Sequence, residues 1–357
     1  LCRIIILGIF FLTSCAPTAQ LPTIKSEEVR AEEDRQRRIA FSNFTKSFQR
    51  VHSVAYKVNK SNSGICRKTS FSLGFDFSNE DQVNKINAKY YPKDLNIGPM
   101  ISIVAIAEGS PAAKSNLKIG DQIYSLNGVQ TIQGKKAVKQ FSNMISNSLG
   151  SGPTKIMIIR NEKIMDFDLY PEEICDYSLI FTADQVINAF ADGKNIYITW
   201  GIASYTKNDN ELALVIGHEL AHNDRGHIRA KKTNALLAGL LGFALDMATS
   251  AGGGYSGGTY TEYFMRLGAQ VFSVGFEQEA DYAGLYYSAR AGFAIDNANE
   301  FWTRMGAQNP SAIAHNTTHP ATAARFVALR ETVKEIKNKV ENGLPLVPNE
   351  KKNTVQK

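Results

Sequence analysis

The spacing of apolar positions along this chain switches between two periods. Phe41, Phe44, Phe48, Val51, Ala55 and Val58 recur three or four residues apart, which makes one face of an amphipathic helix. We read that face as core; a membrane-surface helix is the alternative. Residues 16–38 before it turn densely charged, as a solvated tether would. Between 66 and 171 the pattern changes. Strand-like runs at 71–77, 101–106, 122–126, 156–159 and 165–169 alternate with turn residues, and a helix is predicted over 135–146. Further strand-like runs follow at 177–181 and 195–200. The helical period then returns. Asn208-Asp209-Asn210 offers N-caps, and Leu212, Val215, Ile216 and Leu220 follow at helical spacing on a buried helix. Ala235 to Thr249 is apolar, short and interrupted by Asp246, so it reads as a buried or amphipathic helix, not a membrane span. Residues 250–259 are too Gly-rich for a regular element and read as a mobile loop, either a lid or a passive linker. Phe276, Ala280, Ala283, Gly284 and Tyr287 mark another helix; Phe326, Leu329, Val333, Ile336 and Val340 mark a soluble amphipathic one within 320–340. The tail from Gly343 is polar and expected to be disordered.

Within the strand-rich stretch lies Glu108-Gly109-Ser110-Pro111-Ala112, then Leu117-Lys118-Ile119-Gly120-Asp121, then Leu126-Asn127-Gly128. This segment resembles a PDZ domain of the bacterial protease-associated type, over about a hundred residues. The resemblance implies a carboxylate-binding loop at Ser72-Leu73-Gly74-Phe75. Backbone N–H groups there would hold a peptide C-terminus while Leu73, Gly74 and Phe75 line its path. A PDZ-like fold with a degenerate groove is the alternative.

Composition changes the picture in few places. The 357 residues suffice for two domains with a sizeable core. The net charge of +6 is modest and spread out, with no nucleic-acid motif, so no nucleic-acid partner is expected. Residues 1–15 read as a targeting segment: Arg3, an apolar run from Ile4 to Leu12, then Leu12-Thr13-Ser14-Cys15. That end resembles the lipobox of bacterial lipoproteins, which implies lipidation of Cys15 and membrane anchoring in the periplasm. Ala16 and Pro17 after it favour the outer membrane. An ordinary signal peptide is the alternative. Of the four cysteines, Cys66 and Cys175 then remain, and export to an oxidising compartment predicts that they pair. Two separate buried thiols are the alternative. A bridge closing so long a loop contributes about 4–5 kcal/mol in the chain-entropy model.

The candidate chemistry sits at Gly217-His218-Glu219-Leu220-Ala221-His222. Two imidazoles four apart on a helix share one face and can share one metal ion. Glu219 lies beside them, where a carboxylate can take a proton from an activated water. This is the H-E-x-x-H pattern of zinc peptidases. A third ligand is needed. His227 follows too soon, because on a continued helix it would point about 140° away from His222, so it reads as structural. Glu277 and Asp281, four apart on the later predicted helix, are better placed. Glu277 completes the shell, and Asp281 receives the spare N–H of a ligating histidine.

Asn188-Ala189-Phe190-Ala191, the His218–His222 motif, Glu277-x-x-Ala280-Asp281 and His319-Pro320 followed by Arg325 stand in the order of the HtpX-like gluzincin family. That family includes CAAX prenyl proteases, Oma-type mitochondrial proteases and BepA-type periplasmic lipoprotein proteases. The resemblance covers 176–340 and the helix at 41–58, so the PDZ segment looks inserted. It implies one zinc held by His218, His222 and Glu277, with Glu219 as base and Asp281 behind the ligands. It implies that His319 occupies a fourth metal position in a latent state, and that Arg325 orients Glu277 or stabilises an oxyanion. His315 and His52 read as structural. The strand at 195–200 is assigned to a sheet edge beside the site, where a substrate adds as a strand; an interior strand is the alternative. The fold class expected is α+β: a zincin-like, mainly helical metallopeptidase domain with a small edge sheet, plus an inserted β-rich PDZ domain. The expected segments are 1–15 signal, 16–38 tether, 39–65 N-terminal helix, 66–171 PDZ, 172–342 metallopeptidase and 343–357 tail. The function implied is a periplasmic zinc endopeptidase acting on envelope or misfolded protein substrates, with outer-membrane protein assembly machinery as a partner class. An envelope assembly chaperone with little proteolysis is the alternative.

Overall fold

The computed structural model describes Ala19 and residues 22–83, 85–150, 152–251, 257–270, 273–308 and 323–350. Residues 1–15 with Cys15, residues 252–256, His315 and His319 lie outside the described residues.

The first helix, α1 (Ser26–Ser61), starts well before the apolar pattern does. Glu27 and Glu28 in its first turn suit the helix dipole, and Arg35 clasps Glu32 one turn back at 2.6 Å. The charged stretch is therefore an exposed helical rod from Ser26 on, where the sequence suggested a solvated tether. Its C-terminal half, with Val51, Val54, Ala55 and Val58, enters the core.

The chain then builds a β-rich module. Its elements are β1 (Thr69–Ser72), β2 (Phe75–Ser78), α2 (Lys85–Ala88), β3 (Ser102–Ile106), α3 (Pro111–Lys114), β4 (Gln122–Leu126), β5 (Val129–Gln130), α4 (Ala137–Ser148), β6 (Thr154–Arg160), β7 (Lys163–Leu169) and β8 (Glu172–Cys175). The antiparallel sheet runs β2-β3-β4-β6-β7, with β5 paired to β4. Strand alternation points Ile101, Ile103, Ile156 and Ile158 into one core against Phe141 of α4. The apolar run at 71–77 divides because Gly74 turns at φ +73°; a Cβ there would lie 2.2 Å from the Ser110 Cβ. Ser110 caps α3 ahead of Pro111, and buried Asp121 accepts both arms of Arg160 at 2.6 Å.

A neck ties this module to the rest. β1 and β8 pair from Thr69↔Cys175 to Ser72↔Glu172, and a Cys66–Cys175 disulfide closes the ribbon. Glu172 accepts from Tyr56 and pairs with Lys60 and Lys114 at 2.6–2.8 Å, linking α1, α3 and β8.

The second body holds β9 (Ser178–Thr182), β10 (Ala189–Ala191), β11 (Asn195–Thr199), α5 (Trp200–Tyr205), α6 (Asp209–Asp224), α7 (His227–Ala251), α8 (Thr259–Gln270), α9 (Ser273–Arg290), α10 (Ala298–Gln308) and α11 (Ala323–Glu341). Its sheet order is β10-β11-β9. The strand at 195–200 is thus interior: β10 pairs antiparallel on one side and β9 parallel on the other. Among the described residues the free edges belong to β9 and β10. Residues 344–350 are not loose: Arg290 donates to the Leu346 carbonyl, Lys339 to the Val347 carbonyl and Arg225 to Glu350. A cavity of about 400 Å³ opens between α1, β2–β3 and β9, lined by Phe44, Phe48, Phe77 and Phe181 among others. None of the candidate metal ligands lines it.

Candidate metal centre

Helix α6 begins at a cap read directly from its sequence. The Asn208 side chain accepts the Glu211 N–H at 3.1 Å, and Glu211 reaches back to the Lys207 N–H at 2.8 Å. From Glu211 to Asp224 every residue is buried. The helix is enclosed by α1, α9, α10, β10 and β11. Its closest neighbour is α9, and glycines set that approach. A Cβ on Gly217 would lie 2.6 Å from the Gly284 carbonyl oxygen, and one on Gly284 would lie 2.8 Å from the His218 nitrogen. One and two turns before Gly284 on α9 come Asp281 and Glu277, which therefore face His218 and His222.

The side chains converge tightly. The two Nε2 atoms of His218 and His222 stand 3.1 Å apart. The Glu277 carboxylate lies 3.4 Å from each. His218, His222 and Glu277 offer ligand atoms all within 4.8 Å of one another, and each residue is at most 2% exposed. Behind them the proton positions follow from the partners. Asp281 lies 3.0 Å from His218 Nδ1, so that nitrogen carries a hydrogen in either charge state and Nε2 is the atom that would give up its proton to take a metal ion. Arg325 of α11 clamps Asp281 through Nε and Nη2 at 2.7 and 2.8 Å, and its Nη1 lies 3.5 Å from Glu277. Burial alone would raise the Asp281 carboxyl; Arg325 and His218 overcome it and hold it below its ordinary value. Burial would depress the His218 imidazole; Asp281 and Glu277 reverse this and raise it to about 10. Glu219 is buried, and its charge acts on Arg325.

The donor set fits a divalent metal on this geometry. Two imidazole nitrogens and one carboxylate face inward from buried positions. Zinc takes this mixture of nitrogen and oxygen ligands.

Residues 161–333 match the model of peptidase family M48. This part of the chain, just under half of it, is similar to peptidase family M48. Residues 72–169 match the PDZ domain model. The mitochondrial metalloendopeptidase OMA1 of Schizosaccharomyces pombe is 29% identical over 44% of this chain and 47% of its own length. The beta-barrel assembly-enhancing protease of Yersinia pestis is 31% identical over 42% of this chain and 33% of its own. The matched stretch thus spans less than half the length of either relative. Among solved structures, the HtrA3 PDZ domain bound to a phage-derived ligand covers 29% of this chain and 88% of its own at 14% identity, with a TM-score of 0.22.

Within the stretch that matches peptidase family M48, His227 does not stand where a continuous helix would put it. The chain breaks at Arg225–Gly226, with Gly226 at φ +75°, and α7 restarts at His227. His227 Nδ1 then lies 3.1 Å from His222 Nδ1, and its Nε2 lies 3.2 Å from Glu279. Its ring stacks on Phe276 at 4.7 Å. With Glu279 accepting the Nε2 hydrogen, His227 Nδ1 accepts from His222, and His222 Nε2 faces His218 and Glu277. The glycine at 226 is a helix-stop signal that could have revealed this bend. Nothing in the pattern gives Glu279 a role, and it marks Gly217 and Gly284 only as members of the motif stretch and of a helix, not as a contact. Arg325 proves to be chiefly a clamp on Asp281. In the PDZ domain, Leu73 is buried in the core, the Gly74 carbonyl receives the Ala107 N–H, and Phe75 packs toward Phe141.

Proposed function

We propose that the chain is a zinc-dependent endopeptidase. The observation that carries this reading is the buried convergence of His218 Nε2, His222 Nε2 and Glu277 beside Glu219. His218, His222 and Glu277 would hold the ion, one per chain. A bound zinc would supply Lewis acidity, lowering the pKa of water and polarising a peptide carbonyl. Asp281 holds His218, and the His227–Glu279 pair holds His222, each with its lone pair inward. Arg325 fixes Asp281 and borders Glu277. Glu219 takes the proton of the attacking water and returns it to the leaving amine, so that an amide and water become a carboxylic acid and an amine. The hydrophobic packing around α6 keeps bulk water from these charges.

The same reading extends to place and substrate. Cys15 is the proposed lipid anchor, and the protein works in the periplasm, at the outer membrane. Its substrates are envelope or misfolded proteins, with the PDZ loop at Leu73, Gly74 and Phe75 taking exposed C-termini. Similarity to relatives named for beta-barrel assembly supports the substrate class.

Glu219→Gln separates base from fold. The expected result is retained zinc, an unchanged melting temperature and a fall in casein cleavage of about 10²–10⁴-fold. Undiminished cleavage by that variant would refute the assignment.

A further inference from the structure

Helices α7 and α8 pack inside out. The face that α7 turns to α8 is small or polar. A Cβ on Gly239 would lie 2.4 Å from Met265 Cγ, and one on Gly242 would lie 2.4 Å from the Tyr260 carbonyl oxygen. Asp246 is buried between the helices, accepting the Tyr260 and Thr261 N–H groups at 3.2 and 2.9 Å and the Thr261 hydroxyl at 2.6 Å. The outer face carries Leu236, Leu237, Leu240, Leu241, Phe243 and Met247, each 56–64% exposed. A helix pair whose solvent is water does the reverse, burying its large apolar groups. Glycines at the contact and leucines outside are the arrangement found where the surrounding medium is hydrocarbon.

The width of the face says what covers it. At 100° per residue, the exposed apolar positions from Phe243 round to Leu245 sweep about 200° of the helix. A single partner helix covers a stripe nearer 100°. A fluid acyl layer covers the whole arc. Charge points the same way. Between Lys232 and Glu262 the sequence holds one charged residue of either sign, Asp246, and its carboxylate is spent on α8. Arg229 and Lys232 are exposed at the root of α7, where anionic headgroups would meet them. No helix among the described residues is long and apolar enough to cross a membrane. Exposed Glu262 in the first turn of α8 keeps that helix on the aqueous side.

We propose that α7 is a membrane-surface helix, lying in the plane of an anionic leaflet with Leu236–Met247 among the acyl chains and Arg229 and Lys232 on the headgroups. This contact is independent of the peptidase chemistry and of any lipid at Cys15. It would hold the metal centre within a few helix turns of the bilayer, since α7 begins at His227.

Flotation of the full chain carrying Cys2→Ser and Cys15→Ser tests this, using phosphatidylcholine vesicles with and without an anionic phosphatidylglycerol fraction. In that background Leu240→Glu/Phe243→Glu is expected to weaken binding to anionic vesicles at least tenfold. Ile164→Glu, on an equally exposed apolar residue of β7, is expected to leave it unchanged. Arg229→Glu/Lys232→Glu should lose the preference for anionic vesicles. A bimane label at Leu241→Cys, with the Cys66–Cys175 bridge intact, should shift to the blue on vesicle addition; this reads the contact without any change of charge. Vesicle binding by Leu240→Glu/Phe243→Glu equal to the parent's, or a label that does not shift, overturns the proposal. So does a parent oligomer that this variant converts to monomer with flotation unchanged, since a second copy would then be the cover.

Discussion

Helices α6 and α7 follow one another across a single glycine bend and are both rich in Leu and Ala, yet they meet opposite surroundings. Every residue of α6 from Glu211 to Asp224 is buried, including four ionisable groups on its last three turns: His218, Glu219, His222 and Asp224. In α7 the leucines face outward, and only Gly239, Gly242 and Asp246 are buried within its apolar stretch. The difference lies in what surrounds each helix. Around α6 stand a sheet, the glycine-paired backbone of α9 and charged partners for its buried polar groups. Along the apolar stretch of α7, α8 is the main partner among the described residues. An apolar helix in a sequence states that something must cover it; it does not state whether protein or lipid does.

Truncating a leucine on each helix sharpens that contrast most strongly. Leu220→Ala removes a fully buried side chain from the core and should cost about 2–5 kcal/mol in chemical denaturation. Leu240→Ala should change stability in detergent-free buffer by no more than about 0.5 kcal/mol, because its side chain is already in solvent. Equal costs at the two positions would break the comparison.

The next effect concerns metal. His227 is the hinge residue between the two helices, and it holds His222 from behind. His227→Ala should weaken zinc binding about 10–100-fold in a competition titration with a chromophoric chelator. His227→Gln, which keeps an acceptor and a donor, should recover part of the loss. Unchanged zinc affinity in both variants would assign His227 to packing on Phe276 alone.

The smallest effect lies at the neck, outside both helices. Lys114, Lys60 and Tyr56 overcome the cost of partial burial and hold the Glu172 carboxyl down at about 2, against an ordinary 4.5. A carboxyl with a depressed pKa contributes stability above its unfolded value, and that contribution fades as pH falls from about 4.5 through 2. Glu172→Gln should therefore destabilise by about 1–2 kcal/mol at pH 6, with the difference from wild type closing near pH 2. A difference that persists undiminished at pH 2 would mean that the charge is not its source.

The centre was legible because its chemistry is written in local spacing. His218 and His222 lie one turn apart, and so do Glu277 and Asp281, so each pair shares a helix face whatever the rest of the fold does. The β-rich module was legible for the same reason, since Ile101, Ile103, Ile156 and Ile158 alternate at the strand period. What escaped depends on contacts between segments distant in the chain. The strand at 195–200 carries the same alternation whether or not β9 and β10 flank it, so its interior position has no local mark. Gly217 and Gly284 look like helix defects until the two helices touch. His227 escaped because one residue with a positive φ redirects the chain and invalidates an angle computed along a continuous helix. The apolar run in α7 was read as buried or amphipathic, and period alone offered no way to see that its glycines, not its leucines, would face inward.

Zinc-edge X-ray absorption on the purified full-length chain addresses the central claim most directly. The account predicts one zinc per chain, two imidazole nitrogens and only light nitrogen or oxygen donors in its shell, with one fewer imidazole in His222→Ala. Sulfur in the shell, a spectrum unaltered by His222→Ala, or protein that retains no transition metal after purification without chelators would contradict it.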